Sequence, residues 1–162
     1  MARIVQKYGG TSVADIERIC AVARRVKAVA EAGDEIAVVV SAMAGATNAL
    51  VRQAREISAL HDTREYDVVV SSGEQVTIGL LAMALQDIGI DARSWLGWQI
   101  PIRTDDVHGR ARITGIDTEE LDWRMKTGQV PVVAGYQGLG SNKRITTLGR
   151  GGSDTSAVAL AA

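Results

Sequence analysis

Cysteine is almost missing from these 162 residues. Cys20 stands alone, so no intrachain disulfide can form. It falls on the apolar stripe of an expected helix, where an inert packed thiol is the reading and a nucleophile is not. Charge of one sign is lacking too: 18 Lys and Arg against 19 Asp and Glu leave a formal net charge of −1. That balance argues against an electrostatic nucleic-acid binder. The one basic cluster, Arg24, Arg25 and Lys27, is followed by Glu31, Asp34 and Glu35 and reads as a solvated helix face. No stretch reads as long and apolar enough to span a bilayer, and the opening residues read as a strand, not a signal peptide. Neither nucleic acid nor membrane is an expected partner, and the cytoplasm is the expected compartment. Internal repeats, linkers and low-complexity segments are absent. So are the Walker A spacing G-x-x-x-x-G-K-[ST] and a dinucleotide G-x-G-x-x-G after the first strand.

What is present is an ordinary globular composition, 46% apolar and 23% charged, at a length that suits one domain. Arg3 to Lys7 reads as a strand, and Tyr8-Gly9-Gly10-Thr11-Ser12 as a loop opening a helix. Val13, Ile16, Ile19, Cys20, Ala23, Val26 and Ala30 give that helix its stripe, and Gly33 ends it. Ile36 to Val40 is continuously apolar, as in a parallel strand covered on both faces. The expected class is α/β, a mostly parallel sheet flanked by helices. Further along, a helix is expected over about 49–60, and Glu65 to Val70 fits strand or helix. Ser71 to Gln75 opens a buried apolar helix that Gly89 closes. Ala92 to Leu96, Arg112 to Ile116 and Val130 to Ala134 read as strands, and Gly97 to Gly109 as an irregular excursion. Asp117 with Glu120 suggests a capping box before a short helix ending at Gly128. His61 and His108 read as surface residues, and Trp95, Trp98 and Trp123 as packing or interface residues. Ala157 to Ala162 is a strong helix former with no stop signal, so the expectation is a truncated piece of a longer protein.

The chemistry gathers where strands run into small-residue loops. Gly149-Arg150-Gly151-Gly152-Ser153-Asp154 leads into a helix expected to open at Ser153 or Asp154, whose unpaired N–H groups suit an anion. Arg150 can grip a carboxylate or phosphate with two parallel bonds, and Asp154 calls for a partner cation. Lys7, ahead of Gly9, Gly10, Thr11 and Ser12, can neutralise phosphate. In an open α/β sheet such loops meet at the carboxyl ends of the strands. The candidate site is therefore Lys7, Gly9, Gly10, Thr11, Ser12, Ser41, Thr47, Glu74, Arg150, Ser153 and Asp154. Glu74 is equally readable as a first-turn carboxylate, and Thr47 with Asn48 as a helix cap.

Four segments then carry a resemblance. Lys7 to Ser12, Val40 to Asn48, Ser72 to Gln75 and Thr147 to Ala157 resemble, in order, the signature segments of the aspartate kinase family within the amino acid kinase superfamily. The resemblance implies a three-layer α/β/α fold, truncated. Residues 1–162 would be the amino-acid-binding portion, with the nucleotide-binding half and regulatory ACT domains lying beyond them. It implies ATP-dependent phosphorylation of the side-chain carboxylate of L-aspartate, in the lysine, threonine and methionine pathway. ATP would be the co-substrate, with Mg2+ held largely by the phosphates and the missing half, no metal ligand in this chain, and a homo-oligomeric full-length protein. Lys7 and Asp154 would be catalytic, Lys7 on the transferring phosphate and Asp154 orienting it. Tyr8, Gly9, Gly10, Thr11, Ser12 and Ser41 would lie on the nucleotide side. Ser41, Thr47, Glu74, Arg150, Gly151, Gly152, Ser153 and Asp154 would hold aspartate, Arg150 on its α-carboxylate and Glu74 on its ammonium. The 162 residues alone are expected to be inactive. The competing expectations are a non-catalytic amino-acid-binding fragment and a kinase acting on glutamate, N-acetylglutamate or a nucleoside monophosphate.

Overall fold

A computed structural model describes residues 2–162. Its central sheet is parallel, with strands β1 (Arg3–Tyr8), β2 (Glu35–Val40), β3 (Ala92–Trp95) and β6 (Val130–Ala134) in the order β1-β2-β6-β3. A smaller mixed sheet sets β4 (Ile102–Thr104), β5 (Ile113–Ile116), β7 (Gln137–Leu139) and β8 (Ile145–Thr147) in the order β5-β4-β7-β8. Six helices lie among the described residues: α1 (Ile16–Glu31), α2 (Ala46–Ile57), α3 (Thr63–Val70), α4 (Ser72–Asp87), α5 (Glu119–Lys126) and α6 (Gly152–Ala161).

The unbroken apolar run of β2 follows from its two covered faces. Ile36, Val38 and Val40 pack with Val22 and Val26 of α1 and Leu81 and Leu85 of α4. Val39 faces the other way, into a second core with Trp95, Leu121 of α5, Val133 and Ala157 of α6. The result is three layers, with α1 and α4 on one face of the main sheet and α5 and α6 on the other. Pro131, which has no N–H to give, pairs with Arg93 and lies ahead of the residues of β6 that pair with β2. Asp15 caps α1, its carboxylate accepting from Arg18 N at 2.8 Å.

Several expectations change. Glu65 to Val70 is helical and joins α4 with only Ser71 between them. The 25 residues from Thr63 to Asp87 are therefore, by length and composition, long and apolar enough to cross a membrane, against the sequence reading. Half of that apolar stretch is buried, and α4 lies against α1 and the sheet as a core helix does. The 97–109 excursion contains β4, and β7 is an unforeseen strand; both are three residues long, too short to show periodicity. The Asp117–Glu120 capping box does not form. Thr118 is the cap position without a side-chain bond, and Glu120 instead pairs with Arg124 at 2.7 Å. Thr47 and Asn48 lie inside the first turn of α2, whose cap is Gly45. The last helix opens one residue early, at Gly152. Ile16 and Met83 are exposed, and Cys20 is half-buried. The side chain of His108 is turned inward instead, 8% exposed.

Leu81 is fully buried and Met83 is 64% exposed on the same helix. Leu81→Ala is expected to lower the unfolding free energy by about 2–5 kcal/mol and Met83→Ala by less than about 0.5. Urea denaturation measures both, and equal costs would mean that α4 does not pack by the face described.

Candidate active site

Because β1, β2 and β6 are parallel, their carboxyl ends open on one side of the sheet, and β8 delivers the last glycine loop to the same place. There a cleft of about 380 Å³ is lined by Lys7, Ser41, Ala42, Thr47, Glu74, Gly109, Tyr136, Leu148, Gly149, Arg150, Gly151, Gly152, Ser153 and Asp154. Gly10 brings two of these loops into contact: a Cβ there would stand 2.9 Å from the Ala42 carbonyl oxygen, inside van der Waals distance.

Nine of the residues singled out in the sequence meet in this cleft: Lys7, Ser41, Thr47, Glu74, Arg150, Gly151, Gly152, Ser153 and Asp154. Gly9 adjoins it, a Cβ there falling 3.3 Å from Lys7 Nζ. Tyr8 is not brought in. Its hydroxyl donates to Gln6 Oε1 at 2.8 Å and its ring packs toward the α1–α4 core. Thr11 and Ser12 line a separate surface depression with Arg18 and Arg25.

Two helices have free starts at the cleft, α2 and α6, while α4 continues α3 through Ser71. Neither α2 nor α6 has a side chain bonded to its first N–H groups, whereas α1 and α3, which start elsewhere, are capped by Asp15 and Asp62. The short helix α5 is also uncapped, but Thr118 lies away from the cleft. Uncapped helix starts leave donors and partial positive charge facing the space in front of them.

The charges fall into two sets. Lys7 Nζ pairs with Asp154 Oδ1 at 2.9 Å, so each neutralises the other. Among the described residues, neither Arg150 nor Glu74 has an ion-pair partner. Arg150 is exposed at the rim, while Glu74 is 3% exposed in the first turn of α4. Glu74 Oε1 accepts from Ala42 N at 3.0 Å, and Oε2 has no hydrogen-bond partner. Burial pushes this carboxyl up to about 7, outweighing the Ala42 N–H that favours its charged form. The cleft therefore offers a cation at its rim and a half-satisfied acid at its floor. No group of three or more His, Cys, Asp or Glu among the described residues is arranged to hold an ion.

Tyr136 was not foreseen. It has φ 71°, a left-handed backbone that costs a non-glycine residue roughly 1–2 kcal/mol. Three hydrogen bonds hold it there: Gly135 N to Val40 O at 3.0 Å, Tyr136 N to Ser156 Oγ at 3.1 Å and Leu148 N to Tyr136 O at 2.8 Å. Burial raises its phenol above the usual value. Nothing in a Gly-Tyr-Gln string announces a positive φ at tyrosine, so sequence offered no signal for it.

Residues 2–162 match the amino acid kinase family, and the chain belongs to that family. It is 56% identical over 162 residues to the aspartate kinase Ask_LysC of Stutzerimonas stutzeri, matching all of this chain and 39% of that one. Against aspartokinase 2 of Bacillus subtilis the identity is 53%, over all of this chain and 40% of that one. The chain thus spans about two fifths of the length of the curated relatives it matches. The crystal structure of E. coli aspartokinase III in complex with aspartate and ADP superposes with a TM-score of 0.86 at 27% identity, covering 99% of this chain and 46% of that one. Aspartate kinase from Synechocystis gives 0.83 at 48% identity, covering 98% and 26%.

The raised Glu74 carboxyl has a consequence for stability. A carboxyl near 7 when folded and near 4.5 when unfolded holds its proton more tightly in the folded state between those values. Its favourable contribution is complete below about 4.5 and is lost as pH rises through about 7. Going from pH 5 to 8, the wild type is expected to lose about 2–3 kcal/mol of unfolding free energy relative to Glu74→Gln. Denaturation curves for the two proteins across that range check this, and parallel pH profiles would show that Glu74 ionises normally.

Proposed function

We propose that this chain is the amino-acid-binding portion of an ATP-dependent aspartate kinase. The longer enzyme moves the γ-phosphoryl group of ATP to the side-chain carboxylate of L-aspartate, giving 4-phospho-aspartate and ADP. One observation carries the reading. After Lys7 and Asp154 neutralise each other, the cleft retains a rim guanidinium and a buried carboxylate oxygen without a partner. An α-amino acid carries the two complementary charges, and the relatives and neighbours named above include a structure with aspartate and ADP.

In this reading Arg150 takes the α-carboxylate through two parallel bonds, and Glu74 Oε2 takes the ammonium. A cation arriving at Glu74 favours its ionised form, so binding near neutral pH releases a proton from this carboxyl. The uncapped starts of α2 and α6 face the remaining anions, with Thr47 and Ser153 beside them. Lys7 stands at the end of β1, where the transferring group would meet the acceptor, and Asp154 fixes the ammonium's position at 2.9 Å. Attack by an aspartate side chain, already ionised near neutral pH, needs no base. Positioning and charge neutralisation then do the catalysis. Among the described residues there is no cage of carboxylates for Mg2+, which would travel on the nucleotide phosphates, and no step is assigned to a protein-bound metal. A kinase of free aspartate and ATP works where both are supplied, so the reading carries a cytoplasmic location with it.

The test is a coupled ATP assay on the full-length protein with aspartate, glutamate, N-acetylglutamate and UMP as acceptors. Preference for aspartate is expected, and preference for any other acceptor would end the assignment. In the same protein Lys7→Ala is expected to lower turnover by roughly 10²–10³-fold, with the aspartate KM nearly unchanged. Near-normal turnover would remove Lys7 from the mechanism.

A further inference from the structure

The most deeply buried charged group near the cleft is not in it. Asp67, on α3, has no solvent exposure, yet it is not idle. Its Oδ1 accepts from Thr147 Oγ1 at 2.6 Å, and the Gly109 amide donates to both oxygens, at 3.1 and 3.2 Å. His108 Nδ1 lies 2.7 Å from Oδ2, and since a carboxylate only accepts, Nδ1 carries the proton. A buried carboxylate is costly unless saturated in this way, and an apolar side chain would staple a helix to a strand at lower cost. The identity of the donors suggests why an acid is retained here.

Those donors come from two separated stretches, and both lead to the cleft. Gly109 is part of its wall. Thr147 ends β8, next to Leu148 in the wall and three residues before Arg150. The turn and the strand are also tied directly, Ala111 N donating to Thr147 O at 2.9 Å. Arg150 itself is exposed and has no ion pair among the described residues, so its place is set by the backbone that leaves β8.

We propose that Asp67 is a positioning residue for the acceptor side of the cleft. Through Thr147 and Gly109 it fixes the strand end from which Arg150 is presented, and His108 holds the carboxylate from the turn. This rests on the reading of Arg150 as the ligand of the acceptor's carboxylate. Asp67→Asn keeps the shape but turns one acceptor oxygen into a donor, so the bonds that Thr147, Gly109 and His108 donate to the carboxylate cannot all be kept.

The test uses the full-length protein. Asp67→Asn and Thr147→Val are each expected to raise the aspartate KM by roughly tenfold to a hundredfold while the ATP KM moves less than about twofold. Thr147→Ser, which keeps the hydroxyl, is expected to behave as wild type. Hydrogen exchange gives a readout independent of the acceptor's identity: amides of residues 148–153 exchange faster in Asp67→Asn, and those of α1 and α4 do not. If the protein prefers another acceptor, the functional reading fails while the exchange result still judges the role of Asp67. Unchanged exchange at 148–153, equal effects on both KM values, or a Thr147→Ser variant as impaired as Thr147→Val would overturn the proposal. If Asp67→Asn does not fold, the Thr147 pair decides it.

Discussion

Removing a carboxylate from water costs several kcal/mol unless donors replace its hydration, and this chain does so twice within eight residues. The two sites are handled oppositely. Asp67 has a hydroxyl, an amide and an imidazole around it, and every strand and turn that supplies a donor is fixed by doing so. Glu74 receives one amide, and its other oxygen is buried without a partner. The saturated acid is a fixed point for the surrounding backbone. The unsaturated one, with its carboxyl near 7, has unused hydrogen-bonding capacity in the wall of the cleft. Because α3 and α4 join at Ser71, one nearly continuous helical stretch carries both acids, and firm placement of the first constrains the second.

Much of this architecture can be read from the residues because the main sheet is parallel and covered on both faces. A strand such as Ile36 to Val40 then needs apolar residues at every position, a pattern with few alternatives. The loops at its carboxyl edge must be small to approach one another, so glycines and serines mark the cleft. Tertiary partners decide the rest. Glu65 to Val70 contains three consecutive valines that suit a strand, and it is helical because Val70 enters the interior while Asp67 finds its donors 41 and 80 residues away. His108 reads as a surface residue in a polar stretch, and only its distant partner, Asp67, makes it an interior one. Tyr8 is the last residue of β1 and alternates away from Lys7, while Thr11 and Ser12 follow the two glycines to a separate depression, since a loop that turns at glycine cannot keep successive side chains on one side.

The ion pair at the centre of the cleft shows why placement matters more than strength. Lys7 and Asp154 touch at 2.9 Å, but the aspartate is 68% exposed, and exposed pairs of this kind add little to stability. Their separation in sequence is the informative fact. Lys7 lies next to the last residue of the first strand and Asp154 in the first turn of the last helix, so the contact ties the first strand of the chain to its last helix. In the proposed reaction, a phosphoryl group in flight needs positive charge at a fixed point and little covalent help. A lysine alone on a flexible stem would search many rotamers, each lowering the fraction of time the charge is correctly placed. A carboxylate on a separate, rigid helix narrows that search, and its own start is fixed by the glycine turn at Gly151, with φ 73°. The same turn presents Arg150 and leaves the first amides of α6 uncapped. One backbone geometry therefore sets three of the charges around the cleft, and it hangs from a strand end whose hydroxyl is held by Asp67.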